Sequence, residues 1–153
     1  MRATTKTGAD RPHNTGYIGR FLATHIHANN LASTLRLVDK QLPQLASLAP
    51  EHEEACSKNF LQADASREQS QARVFDLPDG RQFDYVFNCG GETRFSQDDE
   101  VYKLRSYQLS LTVGKEAAKR GVKAFVECST GTVYNPNRTP QKEGDKTSKP
   151  HTK

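Results

Sequence analysis

Gly16 and Gly19 bracket Tyr17-Ile18 where a polar stretch gives way to helical periodicity. Glycines at such a junction let an anion approach the backbone N–H groups that a first helical turn leaves without acceptors, because no Cβ stands in the way. That chemistry suits a phosphate, yet two glycines between a loop and a helix are also an ordinary chain device. Other groups could serve the same site from the ends of apolar runs. Asp39 closes Leu35-Arg36-Leu37-Val38, Asp64 follows Asn59 to Ala63, and Asn88-Cys89-Gly90-Gly91 ends Phe83 to Phe87. Ser129 and Thr130 offer two hydroxyls after Lys123 to Cys128. Each has a plainer reading: a strand-terminal acid at Asp39, a helix cap at Asp64, a strand-ending turn at Asn88 to Gly91.

Composition narrows the other chemistries. Cys56, Cys89 and Cys128 lack CxxC spacing and are odd in number, which argues against a disulfide framework and for a reducing, cytoplasmic setting. His25 and His27, two apart, lie on different sides of a helix and do not make a shared metal site. A net charge of +4 and a pI near 9.0 would suit a polyanion. The Lys and Arg are scattered, however, without the basic stripe and interleaved aromatics of a nucleic-acid surface, so no nucleic-acid partner is expected. No apolar run approaches the ~18 residues of a membrane span or has the form of a signal peptide, so no membrane partner is expected either.

The elements that must position these groups alternate in type. Ile18, Phe21, Leu22 and Ile26 share a helical face, predicting a helix over Tyr17 to Asn30 that Asn14 or Thr15 can cap. Strands are expected at Leu35 to Asp39, Asn59 to Ala63, Phe83 to Asn88 and Lys123 to Cys128. Helices are expected at Pro50 to Cys56, Ser66 to Phe75 and Asp99 to Arg120, with Gly121 as the left-handed residue beyond the last. Such alternation implies a parallel sheet with crossover helices. The 153 residues suffice for one domain, although hydrophobic residues are only 34% and mean hydropathy is −0.81. Residues 1–15 and 135–153 hold almost no large aliphatic side chains.

Thr15-Gly16-Tyr17-Ile18-Gly19-Arg20-Phe21 resembles the second half of the glycine-rich turn GxxGxxG of extended short-chain dehydrogenase/reductases of the NAD-dependent epimerase/dehydratase family. The run from Glu116-Ala117-Ala118-Lys119 through Gly121-Val122-Lys123-Ala124-Phe125-Val126 to Cys128-Ser129-Thr130 and Val133-Tyr134 is similar to that family's EAAKxxGVKRFVxxSSxxVYG, in unbroken register. The resemblance implies an α/β fold, a Rossmann-type doubly wound parallel sheet. It implies NAD cradled by Gly16, Tyr17, Ile18 and Gly19, with Asp39, 20 residues past Gly19, accepting hydrogen bonds from the adenosine ribose. An acid there favours NAD over NADP, whose 2′-phosphate it repels. The resemblance further sets Asp64 near the adenine and Asn88, Cys89 and Gly90 beside the nicotinamide ribose. It makes Thr130 the catalytic hydroxyl that polarises the reacting oxygen, Ser129 its support and Tyr134 a structural residue. It implies a small-molecule substrate such as a nucleotide sugar, and a homodimer formed through helices that include Asp99 to Arg120.

Departures are equally specific. His13 stands where the first glycine belongs, and Asn135 where the VYG glycine lies. No Tyr-x-x-x-Lys occurs, and the chain stops at Lys153, about where that pair is expected, which reads as truncation. The family's aliphatic first strand has no counterpart in residues 2–12, so the central strand is expected to be missing or degraded, with Thr4 to Thr7 as a poor substitute. The resulting division is an atypical or disordered segment over 1–13, an NAD(P)-binding domain over 14–135, and a polar tail over 136–153. Two functions are consistent with this: ancestry in an NAD-dependent epimerase, dehydratase or oxidoreductase, or a non-catalytic NAD-binding module or inactive fragment of one. In either case the chain alone is expected to be inactive.

Overall fold

A computed structural model describes residues 2–7, 16–46, 48–130, 133–134, 140–145 and 147. The proposed caps Asn14 and Thr15, the His13 position and most of the 136–153 tail lie outside the described residues. Five strands, β1 (Arg2–Thr7), β2 (Thr34–Asp39), β3 (Phe60–Gln62), β4 (Tyr85–Cys89) and β5 (Ala124–Glu127), form one sheet in the order β3-β2-β1-β4-β5. All four pairings are parallel. This is the doubly wound order that alternating strands and helices imply.

The central position goes to the substitute that sequence reading held to be a poor one, lengthened by two residues. β1 pairs with β2 from Arg2↔Thr34 to Lys6↔Val38 and with β4 from Ala3↔Tyr85 to Thr7↔Cys89. A ladder is made by backbone N–H and C=O groups, which every non-proline residue carries, so a polar sequence can fill the middle of a sheet that its neighbours have already specified.

Helices cover both faces. α1 (Tyr17–Ala28) and α2 (Pro50–Lys58) pack together on one side, where Ala23, Leu37 and Cys56 are buried with Leu35, Leu48 and Phe60 against them. α3 (Gln71–Phe75) and α5 (Gln108–Lys119) cover the other, around Val38, Val74, Phe75, Val86, Leu109, Val113 and Ala117. Leu37 and Val38 therefore face opposite layers, as the period of two demands. Both are essentially inaccessible, and burial of such a side chain stabilises the fold by about 1.5–3 kcal/mol. Arg36, on the α3 face, donates from Nη1 to the carbonyls of Val74 (2.8 Å) and Asp76 (2.9 Å), satisfying the end of α3.

Predicted boundaries hold to within a few residues except in two helices. Ser66 to Phe75 begins as a turn and a 3₁₀ segment (Glu68–Ser70) before α3. The long helix over Asp99 to Arg120 is α4 (Asp99–Tyr102), a π-helical turn (Lys103–Tyr107) and α5 in sequence. Gly121 takes φ +65° just past α5, the left-handed conformation expected of it.

Candidate functional site

In this topology the chain leaves β1 toward α1 and β2 on one side and reaches β4 on the other. The crevice of a doubly wound sheet opens at that switch, beyond the carboxyl ends of the strands. α1 packs on β1 and β2. A crossover helix runs antiparallel to its strands, so the start of α1 and the ends of β1 and β2 share one edge of the sheet. Gly16 and Gly19 are both buried there. Gly16 is the N-cap residue, in an extended conformation (φ −51°, ψ 139°), and its carbonyl accepts the Arg20 N–H at 3.1 Å. Having no side chain, it leaves the N–H groups of the first turn to an outside acceptor. Tyr17 and Ile18 are exposed beside it.

Asp39 ends β2 at that edge, and the alternation that turns Leu35 and Leu37 toward α1 turns Asp39 the same way. The residue is only 6% exposed, and its Oδ1 accepts the Gln41 N–H at 3.0 Å. Asp64, beyond β3, is occupied locally. Oδ1 accepts the Ser66 N–H (3.0 Å) and the Ser66 hydroxyl (2.6 Å), and Oδ2 lies 3.4 Å from Arg67 Nε. This is an Asx turn in place of the helix cap of its plainer reading, since the 3₁₀ segment that follows is capped at Arg67.

The end of β4 is organised by Asn88, whose exposure is 0%. Its Oδ1 accepts the Gly90 N–H at 3.3 Å. Its amide donates to both oxygens of Glu127 on β5 (3.0 and 2.8 Å) and to Ser110 Oγ on α5 (3.2 Å), and Ser110 in turn donates to Glu127 at 2.9 Å. One side chain thus links two strands, a helix and the turn. Cys89 and Cys128 lie next along each strand, with sulfurs 3.4 Å apart. Burial foremost, and then the shared S–H, push the Cys89 thiol up to about 12. Gly90 is buried, whereas Ser129 and Thr130 are exposed beyond β5, with the Thr130 carbonyl accepting the Val133 N–H at 3.2 Å. Tyr134 bridges to Thr147.

Sequence reasoning missed two acids that shape this edge. Glu127 carries no signal beyond its place in a strand. Glu92 follows the Gly90-Gly91 turn, and its side chain is fully shielded (0%). It accepts from Arg94 Nη2 (2.9 Å) and Arg105 Nη1 (3.0 Å), while its own N–H donates to Ser106 Oγ (2.9 Å). The Arg94 guanidinium holds its carboxyl below the usual carboxylate range. Both Arg105 and Ser106 belong to the π-helical turn, which no periodicity argument anticipates.

The sequence matches the model of the NAD dependent epimerase/dehydratase family over residues 14–153. The chain belongs to this family. Its fold is shared by solved members of the same structural group. The Helicobacter pylori ADP-L-glycero-D-manno-heptose-6-epimerase superposes with a TM-score of 0.70 at 19% identity, over 94% of this chain and 43% of that one. The Bordetella bronchiseptica enzyme WbmG, solved with NAD and UDP, gives 0.69 at 21% identity, over 99% and 44%. The UDP-glucuronic acid 4-epimerase of Bacillus cereus, solved with NAD, gives 0.67 at 15%, over 97% and 46%. The present chain therefore spans less than half the length of these proteins. No curated protein matches by sequence. Epimerase/dehydratase ancestry accounts for the strand order. Among the described residues no helix is long and apolar enough to cross a membrane, and no cluster of three metal-ligating side chains occurs.

Proposed function

We propose that the chain is the NAD-binding unit of an epimerase or dehydratase that acts on the hydroxyl or ketone of a nucleotide sugar or related small molecule. One observation carries this reading: the shielded Asp39 carboxylate ends β2 at the same sheet edge as the glycine-lined start of α1. On this reading the N–H groups of Tyr17, Ile18 and Gly19 hold the pyrophosphate and Asp39 takes the ribose hydroxyls. A 2′-phosphate would bring its charge against Asp39, so NAD is preferred to NADP. Asp64, held by Ser66, stands toward the adenine, and Asn88, Cys89 and Gly90 border the nicotinamide ribose with little bulk. Thr130 donates its hydroxyl to the reacting oxygen. NAD, when bound, supplies the hydride acceptor.

The unit extends from β1 to about residue 135. Proton transfer in such enzymes uses a Tyr paired with a Lys four residues later, and no such pair occurs in this sequence. The chain by itself accordingly binds NAD without turning it over. Leu104 and Tyr107, 59% and 61% exposed on the segment that joins α4 to α5, favour pairing with a second copy through that face. Three free cysteines suit a reducing compartment such as the cytoplasm.

Thermal unfolding with NAD, NADP or neither tests the proposal. At NAD a hundredfold above its Kd the stabilisation is about 2.7 kcal/mol, or roughly 5–10 °C in Tm. NADP should give a smaller shift, and no reduced nicotinamide should accumulate with any sugar nucleotide. Equal shifts for the two dinucleotides, or none, would refute it.

A further inference from the structure

Register pairs Asn88 with Glu127, and the Cys128 N–H donates to the Asn88 carbonyl at 2.9 Å, so β4 and β5 stay together one residue further, at Cys89 and Cys128. Neighbouring strands run about 4.8 Å apart, inside the ~4.4–6.8 Å window of Cα separations that a disulfide spans. The two sulfurs are 3.4 Å apart, and a disulfide needs about 2.05 Å, a difference that side-chain rotation can close. Both residues are partly exposed, whereas Cys56 is sealed (0%) among Ala23 and Leu37.

We propose that Cys89 and Cys128 are a redox-active dithiol that closes to a disulfide across the ends of β4 and β5 when met by a low-molecular-weight disulfide. Cys128 leads into the exposed Ser129 and Thr130, whereas Cys89 leads into buried Gly90 and is held protonated by burial and by its neighbour, so Cys128 is the sulfur that the oxidant meets first. The Cys128 thiolate attacks one sulfur of the oxidant RSSR, forming a Cys128–SR mixed disulfide and releasing one RS⁻. Cys128 is then neutral and no longer shares a proton with Cys89. Cys89 gives its proton to solvent or to the released thiolate and attacks Cys128 Sγ, expelling the second RS⁻. In sum, two protein thiols and RSSR become one protein disulfide and two RSH, with two electrons passing to the oxidant. The bond ties the Gly90-Gly91 turn to the Ser129-Thr130 loop, so oxidation sets how far these two segments can part.

The test uses the full chain and oxidised glutathione, followed by acid quench, denaturation, alkylation and peptide mapping. Alkylatable thiols should fall from three to one, the survivor being Cys56, with no glutathione retained and full reversal by dithiothreitol. The variant C56S should go from two to none, and C128S should form no intramolecular bond. Glutathione held stably on Cys128 with Cys89 still free, a bond between two chains, or a bond that includes Cys56 would each overturn the proposal. C56S retains both cysteines in question, so the outcome does not depend on whether C89S or C128S folds.

Discussion

Asn88→Asp replaces one nitrogen by oxygen and reverses the polarity of the contact that joins β4 to β5. The native amide donates at 2.8 and 3.0 Å to Glu127. In the variant a carboxylate faces a carboxylate at that range. Two unit charges ~3 Å apart interact by about 5 kcal/mol at an effective dielectric of ~20. Glu127 opens to solvent, and screening reduces this to roughly 2 kcal/mol. Losing the amide's hydrogen bonds to a charged acceptor adds about 1.5 kcal/mol. The expected destabilisation at pH 7 is therefore about 3.5 kcal/mol out of a domain total of ~5–15, or a fall of roughly 1.5–2 M in the urea midpoint. The sign of the pH dependence follows. The new acid has its folded pKa raised by its neighbour and by burial, so the folded state holds a proton that the unfolded chain releases near pH ~3.9. The penalty is thus absent below that value and grows as pH rises through the folded pKa. Urea unfolding of wild type, N88D, E127Q and N88D/E127Q at pH 4 and pH 7 tests each step, with the double variant recovering most of the loss because Gln can donate to the new carboxylate. An N88D protein as stable as wild type at pH 7, or one that E127Q does not rescue, refutes this account of the network.

Three further outcomes are expected. Glu92→Gln should destabilise by about 1–3 kcal/mol in urea unfolding, because a shielded carboxylate leaves two arginines that are each about a third exposed. Since Arg94 depresses the Glu92 pKa, the stability it confers is present above the unfolded carboxylate pKa of about 4.3 and lost as pH falls through the folded one, so wild type should lose stability over that acid range and E92Q should flatten that limb. Gly121→Ala should cost about 1 kcal/mol, a purely conformational penalty at φ +65° because the added Cβ meets nothing within 4 Å; a neutral result in thermal unfolding would contradict the left-handed backbone. Asp39→Asn should weaken NAD by about tenfold in calorimetric titration while leaving NADP unchanged or slightly tighter, some 1.4 kcal/mol of lost charge-assisted hydrogen bonding.

Much of this architecture was legible because apolar periodicity reports burial directly. Leu35, Leu37 and Val38 announce β2, and Ile18 to Ile26 announce α1. The first strand escaped for the opposite reason: Arg2–Thr7 has no apolar signal, and its place is set by ladders to β2 and β4 that residue type barely constrains. At the site, Gly16, Gly19 and Asp39 could be singled out because small size and a strand-terminal charge leave marks at a fixed spacing. Glu92 and Glu127 left none. Their importance comes from partners 13 and 39 residues away, and single-sequence reasoning has no access to such pairings.

The π-helical turn over Lys103–Tyr107 holds more residues than an α turn of the same rise. Tyr102, just before it, donates its phenol to the Arg94 carbonyl at 2.7 Å and accepts the Gln97 N–H at 3.3 Å, so the bulge phases α4 against the loop that leaves β4. Removing one residue there would only absorb the bulge and keep the phase, whereas adding a single residue that no second bulge absorbs would swing everything upstream by about 100° around its axis. Tyr102 would then miss the loop, while α5 and its packing on the sheet stayed put. A one-residue insertion should therefore loosen 92–98 selectively, and local proteolysis there would rise without a matching fall in global stability.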